Sequence, residues 1–111
     1  MRVGVPGFAR LTPVLVFLRE PREKVFGVLL GVDTAGVSLR ALDLAAVEDF
    51  LRQEAKGGEE RLLAPATVFY PMQRVERLER DESVGPMPGL AERFARETGR
   101  DLNDVFGVAD E

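Results

Sequence analysis

The sequence predicts a mainly β (α+β) domain: a five-stranded, strongly bent antiparallel barrel with a helix between strands three and four and a short helical C-terminal tail. Two observations carry this prediction. Three apolar runs rich in β-branched residues follow one another between residues 13 and 43, separated by two polar turns of four residues each. A helical pattern then precedes a fourth apolar run at residues 66–70, which a proline ends.

The first two strands, residues 14–20 and 25–32, are apolar on both faces, which predicts burial on both sides. A polar turn at residues 21–24 joins them. Gly27 and Gly31 interrupt the second strand, and glycine weakens a strand unless the strand bends or another backbone packs against it. This pair therefore predicts a coiled strand of the kind that closes a small barrel.

A hairpin turn is predicted at residues 33–36, because Asp33 can accept hydrogen bonds from its own backbone and Gly36 tolerates unusual backbone angles. The third strand then alternates as a half-exposed strand does. Its inward residues are Val37, Leu39 and Ala41, and its outward residues are Ser38, Arg40 and Leu42.

Asp43 is a predicted N-cap for a helix over residues 44–55, with an apolar stripe through Leu44, Val47 and Phe50 or Leu51. Residues 56–60 carry two glycines and predict the end of this helix and a flexible link.

The fourth strand is predicted at residues 66–70, ended by Pro71. The segment 72–80 has two interpretations. Its composition favours a helix, whereas a single tight turn after Pro71 would lead into a fifth strand over residues 75–81. We favour the strand, because four strands would leave the barrel open along strand one.

The predicted domain organisation is an N-terminal arm over residues 1–12, one small barrel domain over 13–82 with the helix 44–55 inserted, and a helical extension over 83–111. We expect a short turn in the arm to place Phe8 and Leu11 on the barrel. The extension contains a predicted helix over 90–98 and a second, capped helical turn over 101–107.

The composition argues against most catalytic chemistry. The chain has no cysteine and no histidine, which removes thiol catalysis, disulfides, structural zinc and the commonest general base. Ser38 and Ser83 therefore have no histidine to activate them. We expect no catalytic residue, cofactor or metal; an enzyme or small-ligand-binding domain remains an alternative that requires a deep pocket.

Charge and hydropathy set the expected surroundings of the protein. The net charge of −4 has the wrong sign for a surface that grips phosphates everywhere, although a local basic patch is compatible with it. Apolar runs are far shorter than the ~20 residues of a membrane span, and the first residues do not resemble a signal peptide. We therefore expect a cytoplasmic protein that does not bind membranes.

Three coiled strands, an insertion and two more strands resemble the order of the Sm/LSm small-barrel family. The spacing of Gly27, Leu29 and Asp33 matches the family's first signature. Tyr70-Pro71 followed by Val75 and Leu78 looks like the second signature, in which a tight turn enters strand five. The resemblance covers residues 14–81 without the helix.

The chain also departs from the family pattern. Val37 stands where the family has its RNA-contacting asparagine, and Gln73-Arg74 stand near the second signature without its glycine. The resemblance thus implies the barrel of a divergent bacterial member rather than its uridine-binding residues.

Two candidate surfaces follow. A contact surface for RNA or another partner comprises Asp33, Gly36, Tyr70, Gln73 and Arg74. These residues also have alternative roles. Asp33 could stabilise its turn, Tyr70 could be an ordinary packing residue, and the arginines of residues 74–80 could form a solvated, ion-paired edge.

The second surface is an oligomer edge at Thr67, Val68 and Phe69, in the flattest and least charged strand. We therefore expect a non-catalytic, homo-oligomeric assembly or scaffold module whose partner is another copy of itself. The alternative is an RNA-binding, Sm-like ring protein.

Overall fold

The computed structural model describes residues 4–58 and 62–108. The strands are β1 (Pro13–Leu18), β2 (Glu23–Val32), β3 (Gly36–Asp43), β4 (Ala66–Pro71) and β5 (Val75–Arg80). The helices are α1 (Val47–Ala55), α2 (Leu90–Thr98) and α3 (Leu102–Val105), and 3₁₀ turns at Leu44–Ala46 and Met72–Arg74 precede α1 and β5. The predicted arm residues 1–3, link residues 59–60 and tail residues 109–111 lie outside the described residues.

The five strands form one antiparallel sheet in the order β4-β3-β2-β1-β5. Strands β1 to β4 meander, and β5 returns to pair with the other side of β1. The segment after Pro71 is therefore a 3₁₀ turn followed by a strand, as we favoured, and not a helix. The predicted antiparallel, mainly β fold is confirmed, but hydrogen bonding does not close the sheet, because β4 and β5 each pair with one strand only.

One face of the sheet is covered mainly by side chains of the strands themselves. The aliphatic cluster on this face consists of Val14, Val16, Leu18, Val25, Leu29, Val37, Leu39 and Ala41. Among the described residues, the apolar side chains packed against this cluster come from the strands, from Phe8 of the arm and from Met72 of the 3₁₀ turn, and none comes from an α-helix. Val14, Val16 and Leu39 are nevertheless 0% exposed. A flat sheet needs a second layer to bury a face, so this sheet curls and we call this its concave face.

The helices cover the opposite, outer face. Its aromatic cluster contains four fully buried rings, which belong to Phe26 of β2, Phe50 of α1, Phe94 of α2 and Phe106 after α3. The Phe106 ring stands nearly perpendicular to the other three, at centroid distances of 5.6, 5.7 and 5.8 Å. This edge-to-face geometry is favourable, and it attaches the C-terminal extension to the sheet of its own chain.

The helical cover alters one expectation for β3. Leu42 lies on the predicted outward side, but it is only 8% exposed because it joins the cluster under the helices. Val37, Leu39 and Ala41 belong to the aliphatic cluster, as the period-two pattern predicts.

The two strand glycines have different surroundings. A Cβ atom on Gly27 would lie 2.2 Å from the carbonyl oxygen of Arg40, so the close approach of β3 requires glycine there. A Cβ on Gly31 would meet nothing within 4 Å, and Gly31 lies beside an irregularity in the β2–β3 register. Of the two glycines, only Gly27 therefore lies where another backbone packs closely against the strand.

Polar contacts fix the helices to one another and to β5. The Arg93 guanidinium donates two hydrogen bonds to Glu48, at 2.6 and 2.9 Å, which joins α2 to α1. The carboxylate of Asp81 accepts hydrogen bonds from the backbone of Leu90 and Ala91, at 2.7 and 2.8 Å, and so caps α2. Among the described residues, no helix is long and apolar enough to cross a membrane.

Candidate functional site

The outward side of β4 carries free backbone groups. Met72 donates its backbone N–H to the carbonyl of Ala35 at 2.9 Å, one position beyond the Gly36–Pro71 pair of the β3–β4 register. Backbone groups alternate in direction along an antiparallel strand. Val68 and Tyr70 therefore face β3, whereas Thr67 and Phe69 direct their N–H and C=O groups away from the sheet. No described strand lies beyond β4.

The β4 edge is uncharged and short. Pro65 and Pro71 bound it, and neither residue has an N–H to donate. The side chain of Phe69 is part of the outer face and the residue is 55% exposed, and among the described residues it is the one phenylalanine that is exposed. A Cβ on Gly36 would lie 2.7 Å from Cζ of Phe69 and 2.2 Å from the carbonyl oxygen of Tyr70, so glycine at position 36 permits β4 to approach the turn.

The β5 edge, at the other end of the sheet, is charged. Asp81 donates its N–H to the carbonyl of Pro13 at 2.9 Å, which in this register turns the backbone of Leu78 and Arg80 outward. Arg77 Nε lies 2.8 Å from a carboxylate oxygen of Glu79, and the Arg77 guanidinium lies 4.3 Å from the centre of the Phe17 ring. Such charges protect an edge strand from pairing with other chains, and they match the ion-paired alternative for this segment.

Four of the five predicted contact residues lie in or beside the turn between β2 and β3, whereas Arg74 contacts the connection between β1 and β2, at the opposite end of β2. Asp33 Oδ1 accepts hydrogen bonds from the N–H groups of Ala35 and Gly36, at 2.8 and 3.4 Å, so Asp33 stabilises its own turn. The Met72–Ala35 hydrogen bond brings this turn against the end of β4, where the 3₁₀ turn carries Gln73, an exposed residue. Gln73 thus lies near the Asp33 turn, but Gly36 is buried and the Asp33 side chain stabilises the turn, which is the alternative role for this residue.

Arg74 is a structural tie rather than a free cation. Its Nε donates to the carbonyl of Arg19 at 2.9 Å and its Nη2 to the carbonyl of Pro21 at 2.8 Å. The same group lies 3.6 Å from the carboxylate of Glu23. Arg74 therefore links the corner between β4 and β5 to the β1–β2 connection. The sequence does not predict this link, because its acceptors are backbone carbonyl groups, which every residue has.

Tyr70 packs against the aliphatic cluster on the concave face. Burial raises the pKa of its phenol above the ordinary value, the negative charge of Glu23 raises it further, and the guanidinium of Arg74 opposes the shift. The Arg74 guanidinium lies 5.9 Å from the centre of the Tyr70 ring. These neighbours favour a packing role for Tyr70, with one part of the ring left accessible.

A cleft of about 410 Å³ is lined by residues of the arm, of the end of β2 and of the turn that follows it, together with Ser38 and Phe69. Phe8 of the arm and Phe69 of β4 contribute aromatic rings to its lining. Within residues 4–58 and 62–108, no group of three or more carboxylates could hold a metal ion. The cleft presents no histidine or cysteine with which Ser38 could form a nucleophilic pair.

Comparison with protein-family models, with curated proteins and with solved structures finds no match for this chain.

Proposed function

We propose that this protein is a non-catalytic, homo-oligomeric assembly module and that copies join through the β4 edge. The observation that carries the proposal is the difference between the two open edges of the sheet. The strands between the two edges are paired on both sides, and β5 is guarded by charges, whereas β4 offers an uncharged edge beside the exposed ring of Phe69. An edge of this kind is a template for another strand.

We further propose that the curled sheet is an Sm-like small barrel. The self-covered concave face supports this description, because a barrel interior is filled by side chains of its own strands. The 3₁₀ turn before β5 supports it as well, since it lies where the resemblance requires a tight turn between the last two strands. Arg74 adds a side-chain link across this corner.

The solution mass tests the assembly proposal. We expect the wild-type chain to form an oligomer at micromolar concentration, measured by light scattering. Thr67→Pro removes one outward N–H and no bond of the β3–β4 ladder, so it should shift the mass to that of a monomer. A wild-type protein that stays strictly monomeric at these concentrations would refute the proposal.

A matched variant controls for the effect of proline itself. Arg80→Pro removes an outward N–H from the β5 edge instead. If β4 alone carries the contact, Arg80→Pro keeps the wild-type mass while Thr67→Pro loses it. Circular dichroism of both variants checks that the sheet is retained.

RNA binding is a second candidate, because the Met72–Ala35 hydrogen bond places the exposed Gln73 near the Asp33 turn, and the Arg74 guanidinium lies 5.9 Å from the centre of the Tyr70 ring. Aromatic rings beside cations can stack on bases. This function predicts that short U- or A-rich RNA binds at low salt and dissociates as salt rises. Gln73→Ala is the informative variant, since Gln73 is exposed. Filter binding without a signal at low salt would remove this candidate.

A further inference from the structure

We propose that β4 pairs with β4 of a second copy about a two-fold axis beside Val68, so that the sheets of two copies continue into one another. This inference rests on the proposed assembly function and specifies its contact: an isologous dimer with a defined register. Three features of the β4 edge carry it, namely the direction of its hydrogen-bonding groups, the position of its prolines and the character of its two faces.

The hydrogen-bonding groups of the edge are complementary to themselves. In an antiparallel pair with Val68 opposite the partner's Val68, Thr67 lies opposite the partner's Phe69. Thr67 and Phe69 are the β4 residues whose N–H and C=O both face outward, as the Ala35–Met72 hydrogen bond and the β3–β4 register fix. In this register the N–H and C=O of Thr67 bond to the C=O and N–H of the partner's Phe69, and Phe69 bonds to the partner's Thr67 in the same way. None of these outward groups is then unpaired.

The prolines select the same register. With Val68 on the axis, Pro65 lies opposite the partner's Pro71, so each residue without an N–H meets another residue without one. Moving the axis to Thr67 or to Phe69 places a proline opposite an outward-facing residue, and one carbonyl of that residue then has no donor. Of these three registers, the one centred on Val68 is the one in which every outward N–H and C=O group of Thr67 and Phe69 has a hydrogen-bond partner.

The two-fold pairing also matches the faces of the sheets. A two-fold axis perpendicular to the sheet keeps the concave face of one copy beside the concave face of the other. Val68, which packs on the aliphatic cluster, then lies beside the partner's Val68. On the outer face, the exposed ring of Phe69 lies beside the partner's Thr67, which would cover part of its 55% exposed surface. An aliphatic pair thus forms on the concave side of the junction, and a pair of an aromatic and a β-branched residue forms on the outer side.

Head-to-tail pairing of β4 with a neighbour's β5 gives a poorer match. Strands β4 and β5 run in the same direction at opposite edges, so antiparallel pairing between them turns the neighbour's sheet over. Aligning the outward groups then places Val68 opposite the partner's Glu79 and Tyr70 opposite the partner's Arg77. Residues from the concave face would adjoin charged groups, which costs desolvation.

Pairing of β5 with itself is worse still. Centred between the outward groups of Leu78 and Arg80, it places Glu79 opposite the partner's Glu79. Like charges directly opposite one another destabilise a strand pair. Of the three antiparallel combinations of the two open edges, pairing of β4 with β4 is therefore favoured.

Cysteine cross-linking tests the register, and the chain is suited to it because it contains no cysteine. Directly opposed residues without mutual hydrogen bonds have Cα atoms about 4.5 Å apart, within the range that a disulfide spans. Val68→Cys should therefore form a disulfide-linked dimer at micromolar concentration under mild oxidation. Thr67→Cys is the matched control, since its two copies would lie about 8 Å apart, which is too far.

The outcomes separate this inference from the function on which it rests. Rapid dimer cross-linking of Val68→Cys, with little for Thr67→Cys, on a non-reducing gel supports the isologous register. If the wild-type chain is an oligomer but Val68→Cys cross-links only when mixed with Glu79→Cys, assembly is head-to-tail; the assembly function then stands and this inference is overturned. If the wild-type chain is a monomer, both are overturned. Glu79→Cys lies at the charged edge, and its fold is checked by circular dichroism.

Discussion

The two faces of this sheet are buried in different ways. The outer face is covered by helices, whose four phenylalanine rings form a compact aromatic cluster. The concave face is aliphatic and is covered by the curl of the sheet itself. Neither the helices nor the curl of the sheet covers the outward side of β4. The comparison teaches that the two clusters that stabilise the domain and the edge that we propose for assembly lie in separate parts of the chain, so we expect that each can be changed without the other.

Truncation in the aromatic cluster should have the largest effect. Phe106→Ala removes the ring that contacts the other three and leaves a cavity under the helices. We expect it to lower the free energy of unfolding by about 3–5 kcal/mol, measured by chemical denaturation. Met87→Ala, at an exposed residue outside both clusters and outside the β4 edge, is the control and should change it by less than about 0.5 kcal/mol. Equal losses in the two variants would contradict the assignment of the core.

The curl of the concave face depends on close strand approach at Gly27. Gly27→Ala would place a Cβ 2.2 Å from the carbonyl oxygen of Arg40, a backbone atom that cannot move aside alone. We expect a loss of about 1–3 kcal/mol in the free energy of unfolding. Gly31→Ala meets open space and should be neutral or should stabilise by about 0.4–1 kcal/mol through the unfolded chain. A neutral Gly27→Ala would show that the strands need not approach so closely.

A smaller effect concerns Tyr70 at the rim of the concave face. Tyr70 is the one tyrosine of the chain and there is no tryptophan, so the ultraviolet absorbance of the phenolate follows this residue alone. Burial raises its pKa and Glu23 adds to the shift, so the titration midpoint should lie above the ordinary value of about 10. Glu23→Gln should lower it toward that value.

The same shift has a consequence for stability at high pH. The unfolded chain releases the Tyr70 proton first, because the pKa is raised only in the folded state. The folded state therefore loses stability as the pH rises above about 10, and this contribution is constant below that pH. An ordinary midpoint that Glu23→Gln leaves unchanged would place Tyr70 in solvent.

Much of the architecture follows from local patterns. Alternation in β3 predicts which residues enter the aliphatic cluster, and the apolar stripe of α1 predicts the burial of Val47 and Phe50. The turn at Asp33 follows from the capacity of its side chain to accept backbone hydrogen bonds. Each of these depends on residues close together in sequence, where periodicity and side-chain chemistry act directly.

Contacts between distant segments could not be predicted in this way. The side chain of Glu54 in α1 is completely buried, and its carboxylate pairs at 2.5 Å with Arg100, which lies in the loop after α2. Asp81 caps a helix that begins nine positions later. For the candidate surfaces, the sequence predicts which residues lie at the β4 edge, but the direction of their backbone groups depends on the register with β3.

The most direct test of this account is amide hydrogen exchange along β4, measured by nuclear magnetic resonance as a function of protein concentration. Val68 and Tyr70 donate to β3 within one chain, so their amides should be protected at every concentration. The amides of Thr67 and Phe69 should exchange fast in dilute solution and become protected as copies pair. Fast exchange of both amides at all concentrations would contradict the claim that β4 is the edge through which this protein assembles.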